Sequence, residues 1–183
     1  MLTNTLSNGI FIKNLEKRDL KAFFEFVEKG RSNFENWIPF VSNTTSLEIA
    51  KGKIDTYLEL VRDGEAYFWC LWNGDTIIGL VLIKDIDTNA RTAEIGYMID
   101  KEHEGKGIIR ESCKLMIDFL FNELKMNKIV LCCDEENEKS IGLAKRFGFS
   151  LEGLLRENIL INKKLRNTMC WALFNENTRQ ESL

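Results

Sequence analysis

Residues 92–109 decide the fold: Thr92-Ala93-Glu94-Ile95-Gly96-Tyr97-Met98-Ile99, then Asp100-Lys101-Glu102-His103-Glu104-Gly105-Lys106-Gly107-Ile108-Ile109. The first part is rich in β-formers and reads as a strand over 92–99. Gly105 and Gly107 interrupt it. Beyond them Cys113, Met116, Ile117, Leu120 and Leu124 recur at helical spacing, which predicts an amphipathic helix over roughly 108–124. This order puts a helix N-terminus at the carboxyl end of a strand. Main-chain N–H groups there lack intrahelical partners and carry the positive end of the helix dipole, and glycines let the chain wrap closely around phosphate oxygens. The turn is a candidate anion site. It matches neither common nucleotide fingerprint: Gly107 rather than Ser or Thr follows Lys106, and Arg110 stands where the dinucleotide pattern needs its last glycine.

Working outward, residues 129–133 form a short, almost wholly apolar segment, as expected of a strand covered on both faces. The helix between it and 92–99 makes these two strands parallel neighbours. Glu138 to Phe147 reads as another helix ended by Gly148, and strands over 149–161 and 165–174 are joined at Asn162-Lys163. Upstream, strands over 66–72 and 76–85 flank the hairpin signal Asn73-Gly74-Asp75. A first strand over 10–15 precedes a helix carrying Leu20, Phe23, Phe24 and Val27, with Gly30 placed to stop it. A loop or short helix holds Trp37, Ile38, Pro39 and Phe40; Thr45 and Ser46 then offer N-caps for a second long helix. Its apolar face is Leu47, Ala50, Ile54, Tyr57, Leu58 and Val61, and Gly64 closes it. The order β-α-α-β-β-β-α-β-α-β-β predicts an α/β (α+β) domain whose sheet is mixed and mostly antiparallel. One domain over 1–183 is expected, with a core at about 10–174 and a short polar C-terminal tail.

The composition is that of an ordinary globular protein, with 44% apolar and 29% charged residues. A net charge of −3 argues against direct nucleic-acid binding, which relies on clustered Lys and Arg, yet allows a local anion pocket. The five cysteines, Cys70, Cys113, Cys132, Cys133 and Cys170, have no spaced framework, which suggests reduced thiols in a cytoplasmic protein. With His103 as the one histidine and no C-x-x-C pair, no metal site is expected. His103 itself, between two glutamates, reads as an exposed loop residue. The first residues, Met1 to Thr5, lack a signal-peptide pattern, and no apolar run is long enough to span a membrane.

The chain resembles the GNAT superfamily of N-acetyltransferases, and within it the RimJ/RimL type that acetylates ribosomal-protein N-termini. The similarity covers about 10–174. It is carried by Thr92 to Tyr97, the turn Gly105-Lys106-Gly107-Ile108, Asn137 with Ser140, Arg146-Phe147-Gly148-Phe149, and Leu151-Glu152-Gly153 followed by Arg156. The resemblance implies a single GNAT-type domain with a sheet of about seven strands and helices on both faces. It also implies acetyl-CoA as cosubstrate, direct transfer to an amine acceptor such as a ribosomal-protein N-terminus, and a homodimer. The turn Glu104, Gly105, Lys106, Gly107, Ile108, Ile109 would bind the pyrophosphate of CoA. Met98 and Ile99 would pair with the pantetheine arm like an added strand, Asn137 would hydrogen-bond its amide, and a main-chain N–H near Tyr97 or Met98 would hold the oxyanion.

The pattern departs from the family in two places. Glu104 stands where a Gln or Arg usually begins the turn, and Ile109 closes it where a small residue is usual. The tyrosine that many members place seven residues after the asparagine, to protonate the leaving thiolate, is Ala144 here, so Ser140 would take over.

Acetyl transfer needs a neutral amine, donors for the oxyanion and a way for the thiolate to leave. A free α-amine is roughly 10–15% neutral at pH 7, whereas a lysine amine is below about 0.1%. A terminal amine therefore asks less of its base. Glu94 occupies a position where several family members carry that base; as a residue it reads equally as a strand salt-bridge partner. Asn137 is also a natural cap for the helix at Glu138, Ser140 an ordinary first-turn residue, and Gly96 a space for a neighbouring side chain. Competing functions are acetylation of a small amine (polyamine, amino acid or antibiotic) and a non-catalytic CoA-binding module.

Overall fold

The structure, a computed structural model, describes residues 4–176. Met1 to Thr3 and the polar tail from 177 onward, on which part of the expectations about the two ends falls, lie outside the described residues. Strand β1 (Asn4–Thr5) and β2 (Phe11–Asn14) precede α1 (Leu20–Phe34), α2 (Pro39–Asn43) and α3 (Leu47–Arg62). Next come β3 (Tyr67–Asn73), β4 (Thr76–Asp87), β5 (Thr92–Ile99), α4 (Ile108–Asp118) and β6 (Lys128–Asp134), followed by α5 (Glu138–Arg146), β7 (Ser150–Ile161) and β8 (Lys164–Phe174). The strands form one eight-stranded sheet in the order β1-β2-β3-β4-β5-β6-β8-β7. Among the described residues only β5 and β6 are parallel. The eighth strand is the short β1, too brief to leave an alternation in the sequence.

Two apolar cores lie on opposite faces of this sheet. One packs α4 and α5 against Ile83, Ile95, Ile129 and Leu131. The other packs α1 and α3, through Phe23, Val27, Ala50 and Ile54, against Cys70, Leu80 and Met98. Successive residues of β5 therefore alternate between the two cores, Ala93 and Ile95 on one side and Met98 on the other. Coverage on both faces is what makes 129–133 apolar throughout. At the β7 end the cover runs out: Leu151, Leu154, Leu155 and Leu160 are exposed on the outer strand.

Several local signals act as the sequence predicts. Ser46 caps α3 by accepting from Ile49 N, and Gly64 ends that helix with φ 77°. Asn162 and Lys163, at φ 49° and 63°, make a tight two-residue turn between β7 and β8. The amphipathic helix over 108–124 runs as α4 and then as a π-helical segment, Phe119–Glu123. Other expectations need correction. Leu47, assigned to the apolar face of α3, is 48% exposed at the helix start. Gly30 does not stop α1, which continues to Phe34.

Gly30 is glycine because of packing. A Cβ there would lie 2.0 Å from Cε2 of Phe34, whose ring is buried against Phe26 with centroids 5.1 Å apart. Alanine is the better helix former by about 1 kcal/mol. Overpacking a closed core costs about 1–3 kcal/mol. We expect Gly30→Ala to lower the urea midpoint with an unchanged m-value; a raised midpoint would show that the ring moves aside freely.

Candidate active site

The site begins where two strands part. β5 and β6 pair only from Thr92 to Glu94 and from Lys128 to Val130. Beyond that point β5 stays on β4 as far as Ile99, and β6 stays on β8 as far as Asp134. A wedge therefore opens toward the carboxyl ends of both strands. Asp100 N donates to Ile78 O at 2.8 Å. Alternate residues of an antiparallel strand direct both main-chain groups to the same neighbour. Counting back from Asp100, Met98 and Gly96 turn theirs toward β4, while Ile99, Tyr97 and Ile95 turn theirs toward the wedge. Tyr97 and Ile99 thus present a β-edge to the opening with their N–H and C=O groups beyond the β5–β6 ladder, whereas the Ile95 N–H still belongs to the parallel pairing that ends at Glu94 and Val130. The side chain of Met98 is buried and its peptide groups face β4, so Met98 is not brought to the wedge.

The glycine turn follows at the head of the wedge. Gly105 and Gly107 have φ of 72° and 79°, a left-handed conformation that costs other residues about 1–2 kcal/mol. A Cβ on either would meet nothing within 4 Å, so conformation rather than crowding requires glycine here. Gly107 is the N-cap of α4 and supplies no side-chain cap, in contrast to Ser46 on α3 and Asn137 on α5. The first helical bond runs from Glu111 N to Gly107 O, so the amides of Ile108, Ile109 and Arg110 precede the ladder. Ile108 is buried and Ile109 packs against the core, which leaves their main chain, not their side chains, for an anion. Lys106 is exposed. The Glu104 carboxylate accepts from Lys139 Nζ of α5 at 2.5 Å. Taken together, the positive-φ glycines, the uncapped helix start and the free strand edge fit a thioester cosubstrate with a diphosphate at one end and amides along its arm.

The opposite wall is α5. Asn137 Oδ1 accepts from Ser140 N at 3.1 Å, so the asparagine is the helix cap; that bond leaves its amide N–H groups for other partners. The Tyr97 hydroxyl donates to Ser140 Oγ at 3.0 Å, and burial raises the tyrosine pKa while its hydrogen bond to Ser140 works the other way. Ala144 is fully buried, so no side chain at that position reaches the wedge. The sequence reading used Tyr97 for its main chain and missed its hydroxyl. Strand parity held the clue, since Tyr97 falls on the same face as Ala93 and Ile95, under α4 and α5.

Glu94 sits on the other face, at the last paired position before the wedge. Its side chain is 19% exposed, and Lys84 Nζ lies 2.9 Å from its Oε1. Burial works to lower the Lys84 pKa, but the hydrogen bonds and charges of Asp85 and Glu94 together outweigh it and raise the pKa. Nearby, Cys132 Sγ is 3.5 Å from Cys170 Sγ; burial, and then the Glu94 charge, pushes the Cys132 thiol up. Such a thiol is a poor nucleophile. Cys133 faces the α4–α5 core. Gly96 lies in unbroken register beneath Leu82, whose Cγ would be 3.3 Å from an added Cβ; the glycine makes room for a neighbour and marks no bulge. Ile38 and Phe40 pack into the α1–α3 core, the Phe40 ring edge-on to Tyr57.

His103 is less exposed than its sequence setting suggests. Its Nδ1 is 2.6 Å from Asp100 Oδ1, and its side chain is 15% exposed. Asp100, Glu102 and His103 converge within ligand distance of one another. The Lys29 ammonium already reaches this group, 2.9 Å from Glu102 and 3.6 Å from Asp100. No helix among the described residues is long and apolar enough to cross a membrane.

Residues 10–150 match the family model described as an acetyltransferase (GNAT) domain. The chain is 30% identical to "Putative ribosomal N-acetyltransferase YdaF" of Bacillus subtilis over 181 residues, covering 94% of this chain and 95% of that protein. It is also 38% identical to the spermidine N(1)-acetyltransferase of Escherichia coli, but over 96 residues, 52% of each chain. The solved structure of RimL, a ribosomal-protein α-N-acetyltransferase in complex with coenzyme A, superposes with a TM-score of 0.84 at 20% identity, covering 90% of this chain and 93% of that one. The chain belongs to the GNAT family of acetyltransferases and is an acyltransferase.

Proposed function

We propose that this enzyme acetylates the N-terminal α-amine of a protein, a ribosomal protein in the first instance, by direct transfer from acetyl-CoA bound in the β5–β6 wedge without a metal. The observation that carries the choice of acceptor is the Glu94–Lys84 pair. The Glu94 carboxylate, at the last paired position before the wedge, is already matched in charge by a lysine, as is that of Glu104 at the glycine turn. A polycation would be drawn to several unmatched carboxylates, whereas a terminal amine, partly neutral at pH 7, needs only modest help to lose its proton.

Acetyl-CoA supplies the acyl group in activated, thioester form. Main-chain N–H groups of Gly105, Gly107, Ile108 and Ile109 hold the diphosphate, with Glu104 and Lys106 flanking them. The wedge edge at Ile99 pairs with the pantetheine arm, and the Asn137 amide reaches the same arm. Tyr97 N–H, directed into the wedge, polarises the reacting carbonyl. Glu94 takes the amine proton through a water, and Ser140 donates to the departing sulfur. Tyr97 fixes the Ser140 hydroxyl from the α4–α5 side. Base and thiol donor thus approach from opposite faces of the sheet.

A thiolate with a pKa near 8.5 is a fair leaving group, so the hydroxyl pair contributes modestly. We expect Ser140→Ala to lower kcat about tenfold and Tyr97→Phe about threefold, consistent with hydrogen bonds worth roughly 0.5–1.5 kcal/mol. The double variant should be no slower than Ser140→Ala alone. Additive losses would show that Tyr97 does not act through Ser140.

A second reading, a polyamine acceptor, has its own support. An open cavity of about 370 Å³ beside α1 and α2 is lined by Glu28 and Glu35 together with Arg31 and Asn162. The deciding experiment measures acetyl-CoA turnover with ribosomal-protein N-terminal peptides against spermidine and other small amines. Peptide turnover supports the α-amine reading; spermidine turnover with inert peptides overturns it. Binding of acetyl-CoA with no turnover of any acceptor supports a CoA-binding module. The proposal includes a cytoplasmic homodimer; the outer edge of β7, unpaired among the described residues, and its exposed leucines favour the dimer.

A further inference from the structure

A carboxylate is a poor neighbour for a phosphate, yet Glu104 stands immediately before the glycine turn. Its side chain is 23% exposed and is bound to Lys139, which is 75% exposed. Lys139 lies in the first turn of α5, where the helix dipole disfavours a cation and where an anionic partner offsets that cost. The pair connects the segment entering α4 to the segment entering α5. These are the two walls that the parting of β5 and β6 sets apart. Deeper in, the same walls are joined by the Tyr97–Ser140 hydrogen bond. The outer bridge is ionic and exposed, and the inner one is neutral and half-buried.

We propose that the Glu104–Lys139 ion pair is a latch across the mouth of the wedge, and that Glu104 stands in for the anion of the incoming substrate. Binding of the CoA diphosphate breaks the pair. Lys139 then transfers from the carboxylate to a phosphate oxygen, and Glu104 turns to solvent. The latch offsets part of the gain from each phosphate contact, so it weakens donor binding and favours release of product CoA. This inference rests on the acetyl-CoA reading of the wedge.

Calorimetric titration with CoA tests it, together with the KM for S-acetylpantetheine, a donor without the diphosphate. Glu104→Gln should tighten CoA binding about three- to tenfold and make it fall more steeply with added salt, because Lys139 is then free for the phosphate. Lys139→Gln should weaken CoA by a similar factor. Neither should change the KM for S-acetylpantetheine; an equal change for both donors would mean altered wall packing and would overturn the latch. Unchanged or weaker CoA binding by Glu104→Gln, with normal binding by the unsubstituted protein, overturns the latch alone. Failure of the unsubstituted protein to bind CoA removes the acetyl-CoA reading and the latch with it.

Discussion

Glu94→Gln is expected to lower turnover by about a hundredfold, the low end of what general acid–base groups contribute because a terminal amine needs only modest help, with acetyl-CoA affinity changed less than about twofold. Glutamine keeps the shape and an oxygen acceptor for Lys84 but cannot take a proton. Glu94 lies on the face opposite Tyr97 and Ser140 and outside the glycine turn, so donor binding should be indifferent to it. Lys84→Met separates the base from a strand salt-bridge partner. If the pair serves only the sheet, both substitutions should act alike; if Glu94 is the base, only its own replacement causes the large loss of turnover. The pH dependence has a definite sign. An α-amine with pKa about 7.8 goes from roughly 10–15% to nearly fully neutral between pH 7 and 9, so the deficit of Glu94→Gln should narrow by about sevenfold over that range. Turnover of Glu94→Gln equal to that of the unsubstituted enzyme would remove Glu94 as the base.

Gly107→Val is expected to raise the Kd for CoA by about 10- to 100-fold while the fold persists. At φ 79° a β-branched residue is strained, and nothing within 4 Å would hold its side chain in place. The backbone relieves the strain by rotating, and that turns the amides of Gly107 and Ile108 away from a common focus. Losing the equivalent of one charge-assisted hydrogen bond, at roughly 1.5–3 kcal/mol, corresponds to the stated range. Gly64→Val is the control, because Gly64 has nearly the same φ, 77°, at the end of α3 and away from the wedge. It should lose comparable thermal stability with no change in Kd. Normal CoA affinity in Gly107→Val would count against the main-chain cradle.

The parts of the fold visible in the sequence are those in which the deciding residues are close along the chain. The turn at Gly105 and Gly107, the caps at Ser46 and Asn137, the hairpin at Asn73-Gly74-Asp75 and the parallel pair β5–β6 all follow from local pattern or from the length of a crossover. Gly30 misled for the opposite reason. Its usual meaning at a helix end was overridden by the ring of Phe34 packing against it. Leu47 kept helical spacing but sits on the first turn, beyond the reach of the sheet.

The same division runs through the candidate site. The sequence alone determined the glycine turn, the strand that leads into it and the carboxylate ahead of it, because each depends on residue type within a few positions: φ > 0 for glycine, β-propensity for Thr92 to Ile99, an acidic side chain at Glu94. Only the tertiary structure decided what faces the wedge. Tyr97 meets Ser140 across 43 positions and Glu104 meets Lys139 across 35, distances over which no local period carries information. The parting of β5 from β6 likewise depends on β4 and β8 holding their partners after the parallel ladder ends. Strand parity, fixed by which core each face meets, then turned Ile99 and Tyr97 toward the wedge and Met98 away from it.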